Sequence, residues 1–399
     1  MLIKRRTFIQ NGSLAAASMM IPQFLKAFEN KALVPQGNKV MVVLQLSGGN
    51  DGLNTVIPVS NDLYYKLRPS LSIKKDLAFE LTDDAGLHPA LKSFKSLYDE
   101  GALGIMNGVG YPNPDRSHFR SMDIWQSASD SNKYINNGWI GRYLDAQCAG
   151  CDVPTHALEV DDTLSLALKG KSAKALAVKD PARLINPASD AFLRRMSAAH
   201  QPGSNDKPVD YLYKTMADTL SSADYIFKQS RLHPTNAAYP KTEIGRSLKT
   251  IASLIFSDIN TTVYYLSLGS FDTHVGQDNK QTRLFAEMNE SIESFVKDLK
   301  ANNRFQDVMI VTFSEFGRRV TQNASNGTDH GTANNMFFIS GGLRKPGLIN
   351  PMPDLSDLLD GDLKHSVDFR NVYATLLKKW LEADDQDILG RRFQQFDFI

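Results

Sequence analysis

The sequence predicts an α/β protein built on a doubly wound, mostly parallel β-sheet with a helical insertion. Apolar runs of strand length occur at 39–47, 103–109, 262–269 and 308–313, and helical patterns separate them. A run that is apolar at every position is typical of a parallel strand buried on both faces. Strands that alternate with helices along the chain are typical of a doubly wound sheet.

The composition is that of a globular protein. The chain has 399 residues, 42% of them hydrophobic, and its 45 Lys and Arg residues nearly balance its 44 Asp and Glu residues. A chain of this length can enclose a large hydrophobic core. Its near-neutral charge argues against a nucleic-acid partner, because binding phosphates requires a concentrated excess of Lys and Arg. With two cysteines, the fold is not built on disulfides.

Residues 1–36 predict a twin-arginine signal peptide and linker. Arg5 and Arg6 are followed by Phe8 and a weakly apolar, Ala-rich stretch, which is typical of this export route. An uncleaved membrane anchor is the alternative, although Pro22 interrupts a run shorter than the roughly 20 residues of a membrane span. We therefore expect a periplasmic or otherwise exported protein, with the twin-arginine translocation machinery as a partner and no stable membrane span in the mature chain.

The first strand opens onto the glycine-rich loop Gly48–Gly52. His88–Tyr98 has apolar side chains at helical spacing, and Pro89 suits the first helical position. With the strand at 103–109, this helix predicts a parallel βαβ unit. Residues 154–249 combine short strand-like pieces with Ala- and Lys-rich helical stretches, which predicts a helical insertion or cap.

The second half of the chain predicts three more strands, at 262–269, 308–313 and 336–342. Amphipathic spacing predicts helices at 284–299 and 369–381. The alternation therefore continues to the end of the sequence.

Carboxylate and imidazole side chains lie beside the ends of four predicted strands. They are Asp51, Asp272, His274, Glu315, Asp329 and His330. In open α/β sheets the ligand site lies outside the carboxyl ends of the strands, so we expect these side chains to come together. Carboxylates and imidazoles are ligands for divalent metal ions, here zinc, manganese, calcium or magnesium.

Several of these residues also have a structural interpretation. Asp51 and Asp272 are of a type that caps turns, and His274 suits a surface or core position. Glu315 could pair with Arg318 in a structural ion pair. His330 carries the strongest signal, because a histidine followed by glycine ahead of a buried strand has little packing purpose.

A second group of candidate catalytic residues is Arg116, Ser117 and His118. Ser117 lies at a predicted helix start, where backbone N–H groups favour an anion, and it suits either a nucleophile or an N-cap. Arg116 could pair with an anionic substrate. Adjacent side chains rarely face each other, so activation of Ser117 by a metal is favoured over a triad with His118.

Cys148 and Cys151 have the spacing of a redox pair. The strand that precedes such a pair in thioredoxin-like folds is absent from the sequence, so we expect a structural or incidental role.

Short motifs occur in seven segments: Leu46–Asn54, Gly86–Leu91, Arg116–Phe119, Gly138–Tyr143, Phe271–His274, Thr312–Arg318 and Thr328–Asn334. Together they resemble the bacterial family called domain of unknown function 1501, which is found with twin-arginine signals and is related in fold to alkaline phosphatase. The resemblance covers nearly the whole mature chain. It implies that residues 37–399 form one alkaline phosphatase-like α/β domain.

The resemblance also implies roles for particular residues. By their order along the chain, the metal ligands and nucleophile of the alkaline phosphatase superfamily correspond to Asp51, Ser117, Asp272, His274, Glu315 and His330. Two features differ from the superfamily pattern. Glu315 and Phe316 stand where that pattern has an Asp-His pair, and Asp272 and His274 are closer together than usual.

Two functions fit these expectations. The first is an exported, metal-dependent hydrolase of phosphate or sulfate esters that acts on a small anionic ester. The second is a non-catalytic binding protein of the cell envelope that keeps the fold and recognises a polyanion or another exported protein. A redox function of the cysteine pair is a more distant third.

Overall fold

The computed structural model describes residues 39–147, 156–171, 175–179, 222, 225–229, 231 and 233–399. The predicted signal peptide, the Cys148 and Cys151 pair and most of the predicted insertion lie outside the described residues. Within the described ranges, no helix is both long and apolar enough to cross a membrane.

The strands follow one another along the whole described chain. They are β1 (Val40–Leu46), β2 (Val56–Ile57), β3 (Phe79–Glu80), β4 (Gly86–Leu87), β5 (Leu103–Gly110), β6 (Ala157–Glu159), β7 (Leu176–Ala177), β8 (Val263–Leu268), β9 (Val308–Phe313), β10 (Asn334–Ile339), β11 (Gly347–Leu348), β12 (Leu358–Leu359), β13 (Asp362–Leu363) and β14 (Val367–Asp368).

Helices lie between these strands. They are α1 (Gly52–Thr55), α2 (Asp62–Leu67), α3 (Lys92–Asp99), α4 (His118–Ser127), α5 (Trp139–Gln147), α6 (Glu243–Phe256), α7 (Gln277–Ala301), α8 (Phe369–Thr375) and α9 (Asp385–Leu389). A 3-10 turn spans Leu166–Leu168, and a π-helical turn, Leu376–Trp380, continues α8.

The central sheet has the strand order β11-β5-β10-β9-β1-β8-β6-β7, with β14 paired to β5. β1 lies in the middle and runs parallel to both β8 and β9. β10 runs antiparallel to its neighbours β5 and β9. The predicted doubly wound, mostly parallel α/β class is confirmed, and the antiparallel β10 starts at the edge where the parallel strands end.

Both faces of this sheet are covered, which explains why its strands are predominantly apolar. Along β1, Val42 and Leu44 pack into one hydrophobic core, whereas Met41 and Val43 pack into the other. Helices α3, α6 and α7 contribute to the first core, and α4, α5 and α8 to the second. Side chains of a strand alternate between faces, so each apolar run serves two cores.

Three predicted helices have different limits. The first begins at Lys92 instead of His88, because His88–Leu91 forms a turn in which Leu91 N donates to the carbonyl of His88. Helix α7 begins at Gln277, seven residues before the predicted start. Its early turns are mostly polar, and apolar periodicity does not detect them. At the C-terminus, α8 ends at Thr375 and the π-helical turn takes over.

The described parts of 154–249 belong to the main α/β body. β6 pairs with β8 and β7 pairs with β6, which extends the central sheet at one edge. Helix α6 packs against β8 and α7. Residues 180–221 lie outside the described residues, so a cap there stays a prediction.

Candidate functional site

Five chain segments meet at one edge of the central sheet. The loops after β1, β5, β8 and β9 leave the sheet there, and the loop before β10 arrives there because β10 is antiparallel. Ligand sites of open α/β sheets occur at this edge. The segments bring together His118, Asp272, His274 and His330, which we call the His/Asp cluster.

The turn after β1 allows these segments to approach closely. Gly48 has φ +117°, and a Cβ atom there would lie 2.4 Å from the backbone nitrogen of Asp272. Gly49 has φ +77°, and a Cβ there would overlap the ring of Phe316. Only glycine combines this backbone conformation with the absence of a side chain. The glycine-rich motif therefore lets the loops after β8 and β9 pack against the end of β1.

His118, the first residue of α4, is held by Glu315. Its Nδ1 lies 2.9 Å from Glu315 Oε1, and Glu315 is itself buried and accepts a hydrogen bond from Gly48 N at 2.8 Å. The carboxylate oxygen accepts, so Nδ1 donates, and in the neutral ring Nε2 then carries the lone pair. The hydrogen bond to Glu315 raises the pKa of His118. Its Nε2 is buried without a hydrogen-bond partner among the described residues.

The other two histidines are oriented in the same way. His330 Nδ1 donates to the main-chain oxygen of Arg116 at 2.8 Å, and His274 Nδ1 donates to Asp329 Oδ1 at 2.9 Å. Burial lowers the pKa of His330, which favours its neutral form. The hydrogen bond from His274 lowers the pKa of Asp329, which keeps that carboxylate ionised. In both rings, Nε2 is left as the acceptor atom that faces the cluster.

Asp272 lies among these imidazoles and is anchored by Arg318. Arg318 Nη2 lies 2.7 Å from Asp272 Oδ1, while Nε and Nη1 donate to the main-chain oxygens of Gly49 and Thr328 at 2.6 and 2.9 Å. Burial alone would raise the pKa of Asp272, but the hydrogen bond and charge of Arg318 outweigh it, so that pKa is lowered. The buried guanidinium of Arg318 thus connects the loops that carry Gly49, Thr328 and Asp272, and it keeps the Asp272 carboxylate ionised.

The resulting geometry places acceptor atoms against one another. His274 Nε2 lies 3.0 Å from His330 Nε2 and 3.1 Å from Asp272 Oδ1, and His118 Nε2 lies 3.6 Å from Asp272 Oδ2. Lone pairs that face each other repel unless a cation lies between them. Ligand atoms around a tetrahedral zinc ion are separated by roughly 3.3–3.5 Å, given metal–ligand bonds of about 2.0–2.2 Å. The cluster therefore fits a divalent metal ion.

Within the described part of the chain, His118, Asp272 and His330 each offer a ligand atom, and these three atoms all lie within 4.8 Å of one another. His274 offers a further candidate ligand atom, because its Nε2 lies beside His330 Nε2 and Asp272 Oδ1. Three imidazoles and one carboxylate are a ligand set typical of zinc and similar transition metals.

The remaining predicted ligands surround this group. Glu315 and Asp329 contact histidines by hydrogen bonds that orient metal-binding rings in many proteins. The alternative ion pair between Glu315 and Arg318 does not form, because Arg318 pairs with Asp272.

Asp51 has a structural role in this arrangement. It caps α1 through the N–H of Leu53, and its Oδ2 lies 2.6 Å from Nη1 of the buried Arg68. Gln277 donates to the same carboxylate oxygen. These bonds occupy Asp51 outside the His/Asp cluster, so the structure does not bring it together with the other predicted ligands.

The candidate catalytic residues Arg116 and Ser117 lie beside the cluster. Ser117 is the N-cap residue of α4, but its exposed side chain makes no cap hydrogen bond. The guanidinium of Arg116 pairs with the buried Asp362, and Arg319 approaches the same carboxylate at 3.6 Å. Two arginines therefore share one buried carboxylate.

Sequence reasoning assigned three important residues incompletely or not at all. The sequence predicts a catalytic role for His118 beside Ser117, whereas in the structure its Nε2 lies 3.6 Å from Asp272 Oδ2. Arg68 has no local sequence signal, because its partner Asp51 lies 17 residues earlier. Phe316, which stacks near His118 and His330 at ring-centroid distances of 4.9 and 4.7 Å, was seen only as a departure from a pattern.

Several solved structures are similar to this chain at low scores. A phosphonate monoester hydrolase from Silicibacter pomeroyi has a TM-score of 0.40 and 8% identity, over 90% of this chain and 74% of that one. The PsFucS1 sulfatase from Pseudoalteromonas sp. has 0.36 and 12%, over 92% and 72%. The lipoteichoic acid synthase LtaP from Listeria monocytogenes has 0.35 and 10%, over 91% and 75%. These scores are too low to transfer an activity.

No curated protein sequence matches the chain. The sequence profile of one family, described as protein of unknown function (DUF1501), matches residues 100–395. That range covers most of the chain and includes every residue of the His/Asp cluster. The chain therefore belongs to the DUF1501 family.

Proposed function

We propose that this chain is a metal-dependent hydrolase of phosphate or sulfate esters that is exported through the twin-arginine route. The observation that carries the proposal is the common orientation of three histidines. Each Nδ1 donates to a carboxylate or carbonyl oxygen, and each Nε2 faces Asp272. Such anchoring fixes the ring orientation and the tautomer that binds a metal.

His118, Asp272, His274 and His330 would hold the metal, and Glu315, Asp329 and Arg318 would position them. When bound, a divalent cation polarises an ester and lowers the pKa of a hydroxyl group beside it. The identity of the metal is left to experiment, with zinc favoured by the imidazole-rich ligand set.

Ser117 is the side chain best placed to act as the nucleophile. It lies between Arg116, whose carbonyl oxygen orients His330, and His118, a member of the cluster. Its hydroxyl is exposed and is not used to cap α4. The first N–H groups of α4 and the guanidinium of the adjacent Arg116 favour an anionic group next to this hydroxyl.

A turnover screen tests the proposal. Metal-loaded protein is assayed with phosphate and sulfate monoesters and phosphate diesters, beside Ser117→Ala and the control Ser60→Ala, which alters an exposed serine outside the site. We expect turnover by the wild type and the control and its loss in Ser117→Ala. Absence of turnover by metal-loaded wild type, combined with a rise in melting temperature on adding a polyanion, favours the non-catalytic binding protein of the cell envelope.

A further inference from the structure

A cavity of about 240 Å³ lies next to the His/Asp cluster. Phe316 lines the cavity and packs against His330, with ring centroids 4.7 Å apart. Thr332 also lines it and is two residues from His330, so their Cα atoms are at most about 7.6 Å apart. The cavity and the cluster are therefore adjacent, with Phe316 in contact with both.

The walls of the cavity are largely apolar. Tyr111, Phe316, Ala333 and Leu363 are buried residues of this lining, and Leu359 lies at the exposed side. The hydroxyl of Tyr111 is used internally, in a hydrogen bond of 2.7 Å to Ser121 Oγ. Its ring is therefore the part available to a ligand.

The polar side chains of the lining are mostly engaged elsewhere. Thr332 donates to the carbonyl of Leu363, Lys364 pairs with Asp357, and Asp115 accepts from Ser117 N at 2.7 Å. His365 and the exposed Asn113 are the exceptions, because neither side chain makes a hydrogen bond within the described residues. Burial lowers the pKa of His365, so its neutral ring offers one donor and one acceptor.

We infer that this cavity binds the alcohol part of the ester substrate and selects an uncharged, largely apolar ring that carries one hydrogen-bonding group. A cavity of about 150 Å³ suffices for benzene, so the present volume accepts a substituted six-membered ring. The apolar walls favour an aryl or alicyclic ring over a polyhydroxylated sugar, whose several hydroxyl groups would lose their hydrogen bonds to water. That the bound ring is part of an ester substrate rests on the proposed function, whereas binding of the ring itself does not.

Fluorine NMR with 4-fluorophenol tests this inference directly, because this phenol is uncharged at neutral pH. Leu359→Asp places a charge at the cavity, and Leu77→Asp is the matched control, since the two leucines are 53% and 58% exposed. We expect binding by wild type and control and at least a fivefold weaker affinity in Leu359→Asp. A fluorinated glucose should bind more weakly than 4-fluorophenol.

His365→Phe keeps an aromatic ring and removes its hydrogen-bonding atoms. We expect about a fivefold loss of affinity for 4-fluorophenol, which corresponds to one neutral hydrogen bond of about 1 kcal/mol. The affinity for fluorobenzene should not fall. The inference is overturned if 4-fluorophenol does not bind, if both Leu→Asp variants weaken it equally, or if the sugar binds better.

Turnover separates this inference from the proposed function. Turnover of an ester without binding of 4-fluorophenol refutes the cavity inference and leaves the hydrolase standing. Binding of 4-fluorophenol with the expected variant effects, but without turnover of any ester, refutes the hydrolase and supports the cavity.

Discussion

The buried ion pair between Asp51 and Arg68 predicts that Asp51→Asn weakens the fold and leaves metal binding intact. Both side chains are fully buried, with 2.6 Å between Arg68 Nη1 and Asp51 Oδ2. Arg68 also donates to the main-chain oxygens of Arg319 and Val320, each at 2.8 Å. The pair thus connects the loop after β1 to the segment that follows β9.

The size of the effect follows from the burial of both charges. Removing one partner of a buried pair costs about 3–5 kcal/mol, because the other charge stays buried without compensation. In Asp51→Asn, the new amide would also present a donor to the donors of Arg68 and Gln277. At roughly 2 °C per kcal/mol for a large domain, the melting temperature should fall by about 6–10 °C.

The assay compares four proteins by thermal unfolding and elemental metal analysis: wild type, Asp51→Asn, Asp51→Asn with Arg68→Met, and Asp84→Asn. The double variant removes both buried charges and should recover part of the lost stability. Asp84 is exposed, and its substitution should cost no more than about 0.5 kcal/mol. Loss of the metal from Asp51→Asn at an unchanged melting temperature would refute this reasoning and make Asp51 a ligand, as the superfamily pattern implies.

Three further predictions concern a positioning residue, a glycine and a buried acid. Glu315→Gln should lower metal affinity about 10–100-fold while the protein stays folded, because the hydrogen bond that orients His118 is weakened. Calorimetric titration with zinc measures this affinity, and an unchanged affinity contradicts the prediction. Gly48→Ala should cost about 3 kcal/mol or more in urea unfolding, because φ is +117° and a Cβ would lie 2.4 Å from the backbone. Gly390→Ala, at φ +76° with nothing within 4 Å, should cost only about 1 kcal/mol. Equal costs would disprove the close approach at Gly48. Burial raises the pKa of Glu159 from 4.5 to about 7, so the native state holds a proton that the unfolded chain has released, and stability should fall by about 3 kcal/mol as the pH rises from below 4.5 to above 7. Glu159→Gln should flatten that pH dependence in urea unfolding, and an identical pH profile in the variant would contradict the assignment.

The strands of the central sheet could be predicted because burial on both faces leaves a plain signal. The predicted strand at 308–313 coincides with β9, and that at 39–47 differs from β1 by one residue at each end. The direction of β10 could not be predicted, since an apolar run has the same composition in parallel and antiparallel pairing. Helix α7 was predicted too short, because buried Gln277 and Gln281 at its start are held by hydrogen bonds that hydropathy does not record.

The sequence predicts where in the fold the site lies, but not which side chains contact one another there. The rule that ligands bind at the carboxyl edge of the sheet brought Asp272, His274 and His330 together correctly. It could not distinguish a side chain that faces the cluster from one that positions another side chain, because that depends on which side chain arrives from a distant segment. Glu315 supports His118, and Asp51 is occupied by Arg68.

Metal content is the measurement that tests the central claim most directly. Protein produced with its own N-terminal segment is supplied with zinc, manganese, magnesium or calcium, freed of excess ion and analysed for bound metal. The wild type is compared with the double variant His118→Ala, His330→Ala and with His233→Ala, which alters an exposed histidine outside the cluster. The account predicts close to one equivalent of metal, with zinc preferred, in the wild type and in His233→Ala, and its loss in the double variant. Wild-type protein that is folded and takes up no metal, or a double variant that keeps its metal, would contradict the account.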